Sequence, residues 1–91
     1  MIYELKRTKK FRKDVKSMIK RGKNPELLLE LIDRLQHDEA LASKHHDHEL
    51  TGDYAGFREC HIEPDWLLVY RKNNRYLILT LLRTGSHSDL F

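Results

Sequence analysis

The chain closes on LLRTGSHSDLF, residues 81–91. An apolar run stops at Arg83, and a fixed cation, an imidazole and an aromatic ring follow before the end. Ordinary termini are polar and featureless. Further groups of the same chemical character stand upstream: His48, His61 and Asp65. Imidazole has an unperturbed pKa of about 6.5 and so suits proton transfer. A guanidinium suits an anionic, bidentate target such as phosphate. An imidazole or carboxylate that removes a proton, an imidazole that returns one and an arginine that neutralises phosphate would make a nuclease needing no metal. Its nucleophile would be the 2′-hydroxyl of RNA, attacking the adjacent phosphate, a group that DNA lacks. The candidate catalytic set is His48, His61, Asp65, Arg83 and His87, with Phe91 and Trp66 as aromatic surfaces for a base. Each residue also has a plainer reading. Asp65 follows Pro64 in a turn, Arg83 ends a strand, Phe91 caps a sheet, and Trp66 reads more readily as core than as a stacking platform.

The run His45-His46-Asp47-His48 raises the question of zinc. Adjacent ligands on a loop rarely give a tetrahedral set, and neither a Cys pair nor a helical i, i+4 His pair supports one, so no metal or other cofactor is expected. Cys60 lies on the strand face opposite His61, which predicts a buried thiol rather than a nucleophile.

The elements that must carry these groups are legible in outline. Ile2-Tyr3-Glu4-Leu5 alternates as a short strand. Thr8 can cap a helix to about Arg21, with Phe11, Val15, Met18 and Ile19 as its apolar stripe and Gly22 as its stop. Asn24-Pro25 opens a second helix, with Leu28, Leu31, Ile32 and Leu35 facing inward. Residues 38–53 are polar and irregular. Strands are then expected over residues 57–62, 66–70 and 76–82, separated by turns at Glu63-Pro64-Asp65 and Lys72-Asn73-Asn74. The prediction is a small single α+β domain over residues 1–91, β-α-α-β-β-β, an antiparallel sheet covered on one face by a helical hairpin. A meander of this kind puts the end of its third strand near the start of its second, so Arg83 is expected near Asp65 and His61, subject to register.

Bulk composition agrees with one modest domain: 91 residues, 40% hydrophobic and 34% charged. No apolar run approaches membrane-spanning length, MIYELKRTKK lacks the apolar core of a signal peptide, and the single Cys60 cannot form an internal disulfide, so a cytoplasmic protein is expected. Charge is uneven. Residues 1–23 carry ten Lys/Arg against two acids, and the remainder is net acidic within an overall +3. The basic face of the first helix, Lys9, Lys10, Arg12, Lys13 and Lys16, is either a solvated surface or a dock for an anionic partner.

The segment DHELTGDYAGFRECHIEPDWLLVY and the tail LLRTGSHSDLF resemble the YafQ-type branch of the RelE/ParE toxin superfamily, toxins of bacterial type II toxin–antitoxin systems. The blocks DH-x-L-x-G, H-x-x-P-D-W-L-L-V-Y and R-x-G-S-H…LF occur in order over nearly the whole chain. The resemblance implies a RelE-like fold and an endoribonuclease that cuts messenger RNA in the ribosomal A site. It places catalysis on His48, His61, Asp65 and His87, with Arg83 as phosphate-binding cation and Phe91 as base-positioning aromatic. It implies that Lys9, Lys10, Arg12, Lys13 and Lys16 dock on ribosomal RNA. Its partners would be a cognate antitoxin, in a heterotetramer, and operator DNA only through that antitoxin. The rival readings are a ParE-like toxin acting on DNA gyrase and a non-catalytic RNA-binding module.

Overall fold

The computed structural model describes residues 2–91. Strand β1 (Glu4–Arg7) leads into helix α1 (Lys9–Lys20), which is followed by α2 (Pro25–Gln36). The short strand β2 (His48–Glu49) then precedes β3 (Arg58–Glu63), β4 (Trp66–Asn73), β5 (Ile78–Gly85) and a final turn of helix, α3 (His87–Leu90). The sheet has five strands in the order β1-β5-β4-β3-β2.

Local chemistry sets the helix ends. The Thr8 hydroxyl accepts from the Phe11 N–H at 3.0 Å and Asn24 Oδ1 accepts from the Glu26 N–H at 3.0 Å, so each helix starts on a side-chain cap. Gly22, at φ +89, lets the chain turn directly out of α1. Both helices lay their apolar stripes on one face of the sheet. Phe11, Met18, Leu28, Leu31, Ile32 and Leu35 pack there with Tyr3, Cys60, Ile62, Trp66, Leu68, Tyr70, Leu79 and Leu81.

The sheet differs from the expected one in four ways. It gains a fifth strand, β2, inside the stretch expected to be irregular. It is mixed, because β1 runs parallel to β5, Glu4 pairing with Ile78 and Arg7 with Leu81. The strands are also longer or shifted. β1 begins at Glu4, β4 runs on to Asn73, and β5 reaches Gly85, so Arg83 lies within a strand and Gly85 ends that strand rather than forming a turn. Finally, the opposite face is not bare. Leu67, Val69 and Leu90 form a second cluster with Leu50, Tyr54, Phe57 and Leu82 packed against it.

β1 is shorter than β5, and α1 completes the edge it leaves. Thr8 donates to the carbonyl of Leu81 through its N–H at 3.2 Å and to that of Leu82 through its hydroxyl at 2.7 Å. Nearly two turns on, Asp14 accepts the Thr84 N–H at 3.2 Å. Helix side chains thereby satisfy backbone groups that an open edge would expose.

Candidate active site

Cross-strand register assembles the site. His48 on β2 pairs with Glu59 on β3, Glu59 with Val69 on β4, and Val69 with Arg83 on β5. The neighbouring row runs His61, Leu67, Gly85. Directly opposed residues share a face, and Leu67 and Val69 belong to the second cluster, so these rows lie on the side away from the helices.

Three candidate imidazoles gather on that side, with the His46 ring also 5.4 Å from that of His61. The ring centroids of His48 and His61 are 6.5 Å apart and those of His61 and His87 5.7 Å apart. In each ring Nδ1 faces an oxygen: the His46 carbonyl at 2.6 Å for His48, the Pro64 carbonyl at 3.2 Å for His61, and Asp65 Oδ1 at 3.0 Å for His87. A carbonyl or carboxylate oxygen can only accept, so Nδ1 carries the proton and Nε2 is left for other chemistry. Asp65 grips His87 a second time through the His87 backbone N–H at 3.0 Å. These two bonds, the backbone one foremost, hold the Asp65 carboxyl below its ordinary range. Asp65 is therefore a poor base and a good orienting anion.

His48 owes its place to its neighbour. Asp47 accepts from the hydroxyl of buried Tyr70 at 2.5 Å and from Arg58 Nε at 3.3 Å. Tyr70 lies in the helix-side core, so Asp47 pins the loop from that side while His48 enters the sheet as the first residue of β2.

Arg83 stands opposite Val69, beside the start of β4 as a meander requires, but its side chain is tied to the first helix. Its Nε and Nη2 donate to Asp14 of α1 at 2.7 and 3.1 Å, which turns the guanidinium toward α1 rather than toward Asp65 and His61. Asp14 raises its pKa, and Nη1 makes no hydrogen bond among the described residues. Trp66 is not a stacking surface. It is 1% exposed, in the helix-side core, with its indole N–H bonded to Thr84 Oγ1 at 3.0 Å. Phe91 is 58% exposed, and its ring stands T-shaped to that of Tyr54 with centroids 5.4 Å apart. Cys60 is fully buried and burial pushes its thiol far up, as its strand parity predicted. The five candidate docking residues of α1, Lys9, Lys10, Arg12, Lys13 and Lys16, all lie exposed.

Glu59 is the residue that sequence reasoning passed over. It is buried, and its carboxylate sits 3.4 Å from His61 Nε2. Its parity with His61 on an alternating strand was the available signal. Glu59, His61 and His87 bring one ligand atom each within 4.8 Å of one another. This is a carboxylate and two imidazoles, one protein ligand short of a closed tetrahedral set, and suited to zinc or copper. The possible metal centre thus lies here and not in the His45–His48 run.

The tail after β5 is helical. The Ser86 hydroxyl accepts the Asp89 N–H, and the Asp89 carboxylate accepts the Ser86 N–H, a reciprocal cap. Leu90 is buried under this turn.

Comparison with known proteins agrees with these features. The family model described as "Bacterial toxin of type II toxin-antitoxin system, YafQ" matches residues 3–91. The mRNA interferase toxin YafQ of Escherichia coli K12 is 38% identical over 82 residues, 89% of this chain and 87% of that protein. A metal-bound toxin from Helicobacter pylori superposes with a TM-score of 0.91 at 43% identity over the whole of both chains. YafQ from the E. coli DinJ–YafQ toxin–antitoxin complex superposes with a TM-score of 0.90 at 34% identity, over 100% of this chain and 99% of that one. The chain belongs to the YafQ family of bacterial type II toxins.

Proposed function

We propose that this chain is a ribosome-dependent endoribonuclease that cleaves messenger RNA in the A site by 2′-hydroxyl attack, leaving a 2′,3′-cyclic phosphate. The observation that carries the reading is the clustering of His48, His61 and His87, three rings each anchored through Nδ1, with Nε2 making no hydrogen bond among the described residues in His48 and His87 and facing Glu59 in His61. His87 in its protonated form, with Nδ1–H held on ionised Asp65, gives its Nε2 proton to the leaving 5′-oxygen. His61 or His48 takes the 2′-hydroxyl proton, with Glu59 beside His61 balancing the charge that develops. Arg83 steadies the phosphate through Nη1 while Asp14 holds the rest of the guanidinium. Phe91 offers a face to a base, and the lysine face of α1 binds ribosomal RNA. The partner is a cognate antitoxin, as DinJ is for the E. coli relative.

Gyrase poisoning or simple RNA binding would need no such imidazole cluster. Expression in bacteria tests the reading. Wild type should arrest growth, and His87→Ala should relieve the arrest while still binding the antitoxin. Full toxicity of His87→Ala would refute the catalytic role.

A further inference from the structure

We propose that Arg21 and Asp89 form a latch that positions His87, so that the C-terminal end of α1 sets the working geometry of the tail. The inference rests on the reading of His87 as proton donor. One isolated turn of helix is unstable, since nucleation costs more than a single turn returns. The four residues of α3 therefore depend on contacts from outside. Asp65 supplies one, from the β3–β4 turn. Arg21 supplies another: its Nη1 and Nη2 donate to Asp89 Oδ2 and Oδ1 at 2.6 and 3.1 Å. This is the paired geometry that makes arginine–carboxylate contacts directional.

Both partners are themselves fixed. Arg21 is the C-cap residue of α1, and its N–H bonds to the carbonyls of Ser17 and Met18 at 3.1 Å. Asp89 Oδ2 also accepts the Ser86 N–H at 2.9 Å, so one carboxylate closes the cap of α3 and ties that turn to α1. Gly85 is shaped for this contact. A Cβ there would stand 3.0 Å from both Cβ and Oδ2 of Asp89. Its φ lies outside the left-handed region, so space and not backbone freedom explains the glycine. Exposed ion pairs generally add little to global stability. The effect of this one falls on the placement of a single turn, and displacing a reacting group by about 1 Å can cost up to about a hundredfold in rate. Arg21 and Asp89 are positioning residues, touching no reacting atom.

The test compares Arg21→Ala, Asp89→Asn, the double variant, Arg21→Lys and Gly85→Ala in cleavage of a defined message on purified ribosomes. Backbone ¹⁵N heteronuclear NOEs across 86–91 are recorded on the free toxin, and wild type and His87→Ala run alongside. Each single loss should lower kcat about tenfold with KM within about twofold. The double variant should be no worse than either single, Arg21→Lys should recover part of the rate, and the NOE at His87 should fall wherever kcat falls. Gly85→Ala should reproduce the loss with every charge intact. Unchanged kcat in both single variants, or multiplicative losses in the double, would overturn the latch. Were wild type itself inactive on RNA, the catalytic reading would fail. The NOEs would still decide the latch, since tail order unchanged in Arg21→Ala contradicts it.

Discussion

Asp65 meets His87 through both a backbone and a ring contact, and the two contacts separate its roles. Asp65→Ala removes the orienting anion and should lower kcat roughly ten- to a hundredfold, whereas Asp65→Asn keeps an acceptor oxygen and should fall between it and wild type. Single-turnover cleavage checks this order. Asp65 and Asp89 are both held below the ordinary carboxyl range, Asp65 by His87 and Asp89 by Arg21. A depressed folded-state pKa stabilises the native protein above the unfolded value, about 3.9, and that stabilisation is lost as pH falls further. The urea midpoint of Asp89→Asn should therefore lie only slightly below that of wild type near neutrality, the pair being exposed, and meet it as pH drops below about 4. A gap that stays constant to low pH would contradict the assignment. At this scale the sequence made His48, His61, Asp65 and His87 visible by residue type and turn position. Glu59 and Asp14 were not singled out. Glu59 is covered by long-range packing, and Asp14 acts on Arg83 across 69 positions of sequence.

α1 has one apolar and one basic face, and the proposed function gives the basic one a task. Phe11 and Met18 are buried, while Lys9, Lys10, Arg12, Lys13 and Lys16 are exposed. Reversing Lys9, Lys10, Lys13 and Lys16 to Glu should abolish most ribosome association and flatten its salt dependence while leaving the circular dichroism spectrum unchanged. Association equal to wild type in a sedimentation assay would remove that role. The helices were legible because their signals are local: the Thr8 cap, the Asn24-Pro25 start and the apolar spacing. The parallel pairing of β1 with β5 was not, because it joins segments some seventy residues apart that carry no mutual pattern. The bulge between Val69 and Tyr70 shifted the β4–β5 register in the same hidden way. α3 was missed although Ser86 and Asp89 stand three apart. One turn has no periodicity to detect, and the partners that hold it lie on α1 and beyond β3.

The whole molecule is one sheet with a structural face and a chemical face. The helix-side core carries stability. Leu68→Ala, at a fully buried position, should cost roughly 2–5 kcal/mol in urea unfolding, with the surviving folded fraction still active. On the proposed reading the opposite face carries the chemistry, and there the atoms assigned to proton transfer are also those that could bind a cation. Toxin treated with chelator and desalted should cleave as well as untreated toxin, while added zinc or copper should inhibit by occupying His61 and His87. Loss of cleavage after chelation, restored by metal, would move the chemistry to a metal-assisted route. The most direct measurement of the central claim is primer extension on a message with ribosomes stalled at a known codon, comparing wild type with His87→Ala. The account predicts cleavage within the A-site codon by wild type alone, with a 2′,3′-cyclic phosphate on the upstream fragment. No cleavage by wild type despite ribosome binding, or equal cleavage by His87→Ala, would contradict it.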